Sequence, residues 1–269
     1  MRAMSKAGFL FLWMCAAAAQ AEPQKITLFL SAQHDRVNPA AALSAPNRQL
    51  LAYIESETGV QFERKFVPWK RALQSAIEGK GFVFGASQTP ERLQHLVFSE
   101  PIYIDNVWIV TRCDARFSYN SIADLKGKTI GMIRDAYYGP EVAKAVNFVF
   151  TPEYDVNDSI SRFDKLLKHR TDGIFVYTQL TDPRALEDMM KMQYGRLAEQ
   201  ENPAFRERPF CAQGKPVHSS SLHFAATPGY HPEYLKELNK ALSKAAKSGC
   251  WRSGISSLRR AEELSSPSF

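Results

Sequence analysis

The densest chemistry in the chain lies in GASQTPERLQHLVFSEPIY, residues 85–103. Ser87 offers a hydroxyl just after the turn at Gly85. Thr89-Pro90-Glu91 then has the grammar of a helix start: a hydroxyl cap, a proline and an acid. Such a start presents unpaired backbone N–H groups and favours negative charge. Arg92, three residues beyond the cap, adds a planar two-pronged donor suited to a carboxylate. The set reads as an anion site.

The same grammar recurs at Arg134-Asp135-Ala136-Tyr137-Tyr138-Gly139, which leads into a helix at Pro140. Here Arg134 can hold an anionic group, and Tyr137 with Tyr138 can supply a ring face and a hydroxyl. Trp69, next to the proline that opens another helix, can stack on a ligand. Metal chemistry is not expected. There is no CxxC, and the histidines at 34, 95, 169, 218, 223 and 231 lack paired ligand spacing. Nor is a cofactor expected.

The elements that hold these residues follow from periodicity and punctuation. Strand patterns cover 25–30, 62–67 and 82–87, with helices at 46–59 and 68–81 between them. A long strand spans 102–113. A second series follows: a short helix at 121–128, a strand at 129–134, a helix at 139–147, a strand at 148–152, a helix at 157–171 and a strand at 172–178. Residues 199–216 lack periodicity and read as irregular. The chain closes with a strand at 217–227 and an amphipathic helix at 231–249. This alternation predicts an α/β fold with a largely parallel sheet. Two lobes sharing the chain discontinuously explain its order, with the strands at 102–113 and 217–227 crossing between them as a hinge. Ligands of open α/β sheets bind beyond the carboxyl ends of strands, so the candidate loops should face a cleft between the lobes.

The first residues read as a secretory signal peptide: Arg2 and Lys6, an apolar run from Ala7 to Ala19, and an A-x-A site before Glu22. A lipid anchor at Cys15 is disfavoured, because Met14 stands where a small residue is required. Removing 1–21 leaves 248 of 269 residues, and the charge falls from +6 to near +4. Basic and acidic residues are interspersed, which gives no nucleic-acid footprint. Cysteines 113, 211 and 250 survive processing, and the simplest arithmetic is one pair and one free thiol. Cys113 and Cys211 both lie near the second-lobe ends of the crossing strands and form the favoured pair.

The run of glycine, hydroxyl residue, T-x-x-R and F-S-x-P at 85–101 resembles bacterial extracellular solute-binding protein family 3, the periplasmic binding proteins of amino-acid-type ABC transporters. So do W-x-R-A at 69–72 and L-K-G-K-x-I-G at 125–131. The resemblance covers nearly all of the mature chain. It implies a type II periplasmic-binding-protein-like fold: a signal peptide at 1–21, lobe one at 22–111, lobe two at 112–217, and a return to lobe one at 218–269. It implies a periplasmic monomer that closes over a small ligand for a membrane permease or sensor. It also implies that Gly85, Ser87 and Arg92 hold a ligand carboxylate and that Trp69 lies against the ligand. The loop from Arg134 through Tyr137 closes over it, and Ser31 and His34 face it. Tyr177 stands where amino-acid binders usually carry an ammonium-binding aspartate, and Asp135 can take over that role. The alternatives are a sensor protein or an enzyme similar to cyclohexadienyl dehydratase, with Asp135, Glu100 or His34 as its acid or base.

Overall fold

The computed structural model describes residues 24–31, 43–155 and 159–248. The expected leader and Cys250 lie outside them. The first series runs β1 (Lys25–Ser31), α1 (Ala45–Thr58), β2 (Gln61–Val67), α2 (Trp69–Ile77) and β3 (Phe82–Ser87). Ser44 caps α1 by accepting from the Asn47 N–H at 3.3 Å, and the left-handed Gly59 ends it. After the two-residue β4 (Val97–Phe98), the chain enters β5 (Tyr103–Arg112). The second series is β6 (Thr129–Ile133), α3 (Pro140–Ala145), β7 (Thr151–Asp155), α4 (Ser159–Leu167) and β8 (Gly173–Thr178). The chain continues through α5 (Pro183–Glu201), β9 (Phe210–Ala212), β10 (His218–Ala226) and α6 (Pro232–Ser248).

The strands form one sheet in the order β2-β1-β3-β10-β5-β8-β6-β7, with β4 beside β10 and β9 beside β5. Each half repeats one plan. In the first, β1 pairs in parallel with β2 and β3, and β10 runs antiparallel to β3. In the second, β6 pairs in parallel with β7 and β8, and β5 runs antiparallel to β8. The expectation of a largely parallel sheet is therefore corrected to a mixed one. Every antiparallel pairing in the sheet involves β5 or β10, the two strands that carry the chain between halves.

Each half has apolar clusters of its own. Leu50, Leu51 and Ile54 of α1 and Leu238 and Leu242 of α6 pack against Ile26, Leu28 and Phe82. Ala72 and Ala76 of α2 cover Phe29 and Val83 on the other face. In the second half α4 and α5 cover Trp108 and Ile174, whereas α3 covers Ile109, Ile130 and Phe175. The inner strands of both half-sheets are thus buried on both sides, which explains their nearly continuous apolar runs, whereas the edge strands β2 and β7 are largely exposed.

Several local readings change. The helix expected at 121–128 is a 3-10 turn, Ile122–Leu125, whose Ser121 and Asp124 form a capping box. The strand expected at 148–152 lies at Thr151–Asp155, because a left-handed Asn147 turns the chain and leaves Phe148 88% exposed. Residues 199–216 hold the end of α5, a 3-10 turn at Pro203–Arg206, and β9. The sequence reading assigned no element to 179–198, where most of α5 lies. Its signals are Asp182, which accepts from the Arg184 N–H at 3.0 Å, and Leu186, Met190, Tyr194 and Ala198 buried at fourfold spacing. Cys113, just past β5, is joined by a disulfide to Cys211 on β9. No helix among the described residues is long and apolar enough to cross a membrane.

Candidate functional site

Within β3, two residues before its end, Gly85 has φ +85°, a conformation that suits a residue without Cβ. Gly85 turns the strand so that Ser87 packs Oγ to Oγ, at 3.1 Å, against Ser220 of β10. Beyond it Thr89 accepts from the Arg92 N–H at 3.2 Å, but the helix expected there is one 3-10 turn, Arg92–Gln94. A single turn carries little aligned dipole, so the anion site rests on the guanidinium rather than on a helix end.

That guanidinium is buried, at 7% exposure. Nη1 donates to the Ser87 carbonyl at 3.0 Å, and Nη2 donates to the Asp135 carbonyl at 3.2 Å. Its carbon lies 5.5 Å from the centre of the Trp69 ring. Desolvation pulls its pKa below the usual guanidinium value, yet arginine stays charged at neutral pH. No carboxylate among the described residues lies within ion-pair distance of it. A buried cation without a counter-charge is costly, which makes this corner of the protein receptive to an anion.

The opposite wall comes from the loop after β6. Asp135 has φ +60°, and its carbonyl receives Trp69 Nε1 at 3.1 Å as well as Arg92. Its carboxylate pairs with Lys70 at 3.2 Å. Asp135 is therefore turned toward the rim, and it does not line the cavity as a replacement ammonium partner. Arg134 also differs from expectation. Ile133, the last residue of β6, lines the cavity, whereas Arg134, in the turn that follows, does not: its guanidinium lies 5.2 Å from the Tyr154 ring, and it lines a neighbouring depression with Trp69 and Lys70. Gly139 (φ +98°) lets the loop pass His218 so closely that a Cβ would sit 2.6 Å from its ring. This fixes Tyr137 and Tyr138. Tyr177 donates to the Tyr137 carbonyl at 2.8 Å, and the Tyr138 hydroxyl accepts from the Ile133 N–H at 2.6 Å. Burial holds the Tyr138 and Tyr177 phenols above their ordinary range, so both are neutral.

Between the walls lies a cavity of about 260 Å³. It brings together Ser31, Trp69, Gly85, Ser87, Arg92, Tyr137 and Tyr177. It excludes Arg134 and Glu100, and His34 lies outside the described residues. Sequence reasoning missed Asn47, Tyr103, Asp105, Thr178 and Gln179, which also line it. Asp105 had a signal: it is an acid inside the otherwise apolar run IYIDNVWIV. Although only half-buried, it opens onto the cavity rather than onto bulk water, and desolvation pushes its carboxyl up to about 7.

The family model of bacterial extracellular solute-binding proteins, family 3, matches residues 47–254. The chain belongs to that family. As a family 3 solute-binding protein it shares its two-lobed α/β fold with many solved structures. One is an ancestral arginine-binding protein bound to arginine, with a TM-score of 0.66 and 21% identity over 86% of this chain and 96% of that one. Another is a periplasmic binding protein of Salmonella typhimurium described for its high arginine specificity, with a TM-score of 0.62 and 20% identity over 85% and 96%. A third is the GluR0 ligand-binding core of Nostoc punctiforme in complex with L-glutamate, with a TM-score of 0.63 and 16% identity over 85% and 96%. These identities carry the fold and not the ligand. No curated protein matches this family 3 chain.

Proposed function

We propose that this solute-binding protein captures a small carboxylate-bearing, amino-acid-like ligand in the periplasm by closing its lobes, and presents it to an ABC-type permease. One observation carries the reading: a buried Arg92, unpaired with any described carboxylate, on the wall of a cavity built from both halves. We place the lobes at 22–111 with 218–269, and at 112–217; the separate apolar clusters support two lobes, and they group residues 107–110 of β5 with the second. The cavity volume, about 260 Å³, suits an amino-acid-sized solute better than a peptide or a drug-sized ligand. The arginine- and glutamate-bound neighbours have ligands of this class.

In this reading Arg92 receives the carboxylate with the donors left over from its two backbone bonds, and Ser87 contributes a hydroxyl. Trp69 and Tyr137 supply ring faces, while Gly85, Ser31 and Tyr177 shape the walls. The test is a thermal-shift screen of amino acids, polyamines and small organic acids. A ligand at one hundred times its Kd raises stability by about 2.7 kcal/mol, an easily read shift. Arg92→Ala should abolish that shift for the compound that gives it. Equal binding by the alanine variant would remove Arg92 from the site.

A further inference from the structure

The cavity holds a second charge that the anion site does not use. Asp105 lies on β5 directly opposite Ser220 of β10, so the two side chains share a face of the sheet. Ser220 in turn touches Ser87, whose carbonyl anchors Arg92. Asp105 and Arg92 therefore stand at two ends of one continuous wall, but they do not pair. Among the described residues the carboxylate has no ion-pair partner, and its donor is the backbone N–H of Asn106. The titratable groups facing it do not neutralise it. Tyr103 and Tyr177 are phenols held neutral by burial, and burial also favours neutral His218, two residues from Ser220 on the same face.

A second observation points the same way. Asn47, which reaches the cavity from α1, has a buried Oδ1 without a hydrogen-bond partner, while its side chain also contacts the Tyr103 hydroxyl. A lone carboxylate and an orphaned carbonyl on one cavity wall call for a ligand group that is cationic and rich in N–H donors.

Resting on the solute-binding reading, we infer that Asp105, with Asn47 of the same cavity, is the anchor for a nitrogen cation of the ligand. The cleft thus takes a zwitterion whose positive end lies over the crossing strands. Binding of the cation requires the carboxylate form of Asp105. With the carboxyl near 7 in the unliganded protein, affinity rises between pH 5.5 and 8, and complex formation near neutrality releases a proton.

The experiment uses the mature protein and two matched panels: the standard L-amino acids and the 2-hydroxy acids that carry the same side chains but no ammonium. Thermal shift identifies binders, and calorimetry in buffers of different ionisation enthalpy measures Kd and proton release. The expected result is that an amino acid binds and its hydroxy counterpart does not. Asp105→Asn should weaken the binder at least tenfold and abolish the proton release, and Asn47→Ala should weaken it less. Unchanged affinity and proton release in Asp105→Asn overturn the anchor while leaving the solute-binding reading intact. If neither panel, nor any compound in the wider screen, stabilises the wild-type protein, the solute-binding reading falls and the anchor with it.

Discussion

The Arg92 guanidinium reaches across the cleft and donates to the backbone carbonyl of Asp135 at 3.2 Å. Trp69 Nε1 donates to the same oxygen at 3.1 Å, and Lys70 pairs with the Asp135 carboxylate. Three side chains of the first half thus converge on one left-handed residue of the second and bridge the two halves.

Trp69→Phe removes one of these ties and keeps the ring. A single hydrogen bond contributes about 1 kcal/mol, so the expected loss is roughly a fivefold drop in the closed population and in ligand affinity. The unliganded melting temperature should scarcely move. Small-angle scattering on the ligand-bound variant should show a more open average, and an unchanged Kd would show that this bond does not couple closure to binding.

Asp105 predicts a pH dependence of stability with an unusual sign. Its carboxyl rises from 3.8 in the unfolded chain to about 7 in the fold. Between these values the folded state holds the extra proton, so stability falls as pH rises through that window. The size is up to roughly 4 kcal/mol. The lowered carboxyls of Glu63, Glu78 and Asp124 act oppositely and at more acid pH, where stability grows as they ionise. Denaturant melts of unliganded wild type and Asp105→Asn should diverge between pH 4 and 7, with the variant flatter. Parallel curves would contradict the assignment.

The Cys113–Cys211 bridge closes a loop across 98 residues. Chain-entropy reasoning assigns such a loop about 4–5 kcal/mol. The double serine variant should lose stability of that order in denaturant melts, and reductant should then have no further effect on it. Ligand affinity should change little, because neither cysteine lines the cavity.

Arg162 and Asp155 form an almost fully buried ion pair in the second half, Nε to Oδ2 at 2.8 Å, and Nη1 also donates to the Phe175 carbonyl at 3.2 Å. Removing one partner leaves the other charge buried alone. Arg162→Met should therefore cost about 3–5 kcal/mol, and the double variant Arg162→Met/Asp155→Leu should recover much of it. A cycle of chemical melts checks this, and additive losses would refute it.

The repeated strand and helix order was legible because each half buries its inner strands on both faces and punctuates its helices with proline, hydroxyl and glycine signals. Ser44 and Gly59 around α1 are local signals, readable without a partner. The helix α5 was harder. Its buried residues are mixed among Asp, Glu, Lys and Arg, and only packing on α4 and β9 shows which stripe is the core.

The α/β series, the hydroxyl-and-arginine window and the resemblance to a solute-binding family all depend on residue types at short separations, and so were readable along the chain. Tertiary structure decided what the cavity contains. The turn after β6 set Arg134 against Tyr154, Lys70 drew the Asp135 carboxylate to the rim, and the pairing of β5 with β10 set Asp105 opposite Ser220, which touches Ser87. Which face of a strand meets a cleft is fixed by its neighbours in the sheet, and those neighbours are distant in the chain, as Asp105 and Ser220 are.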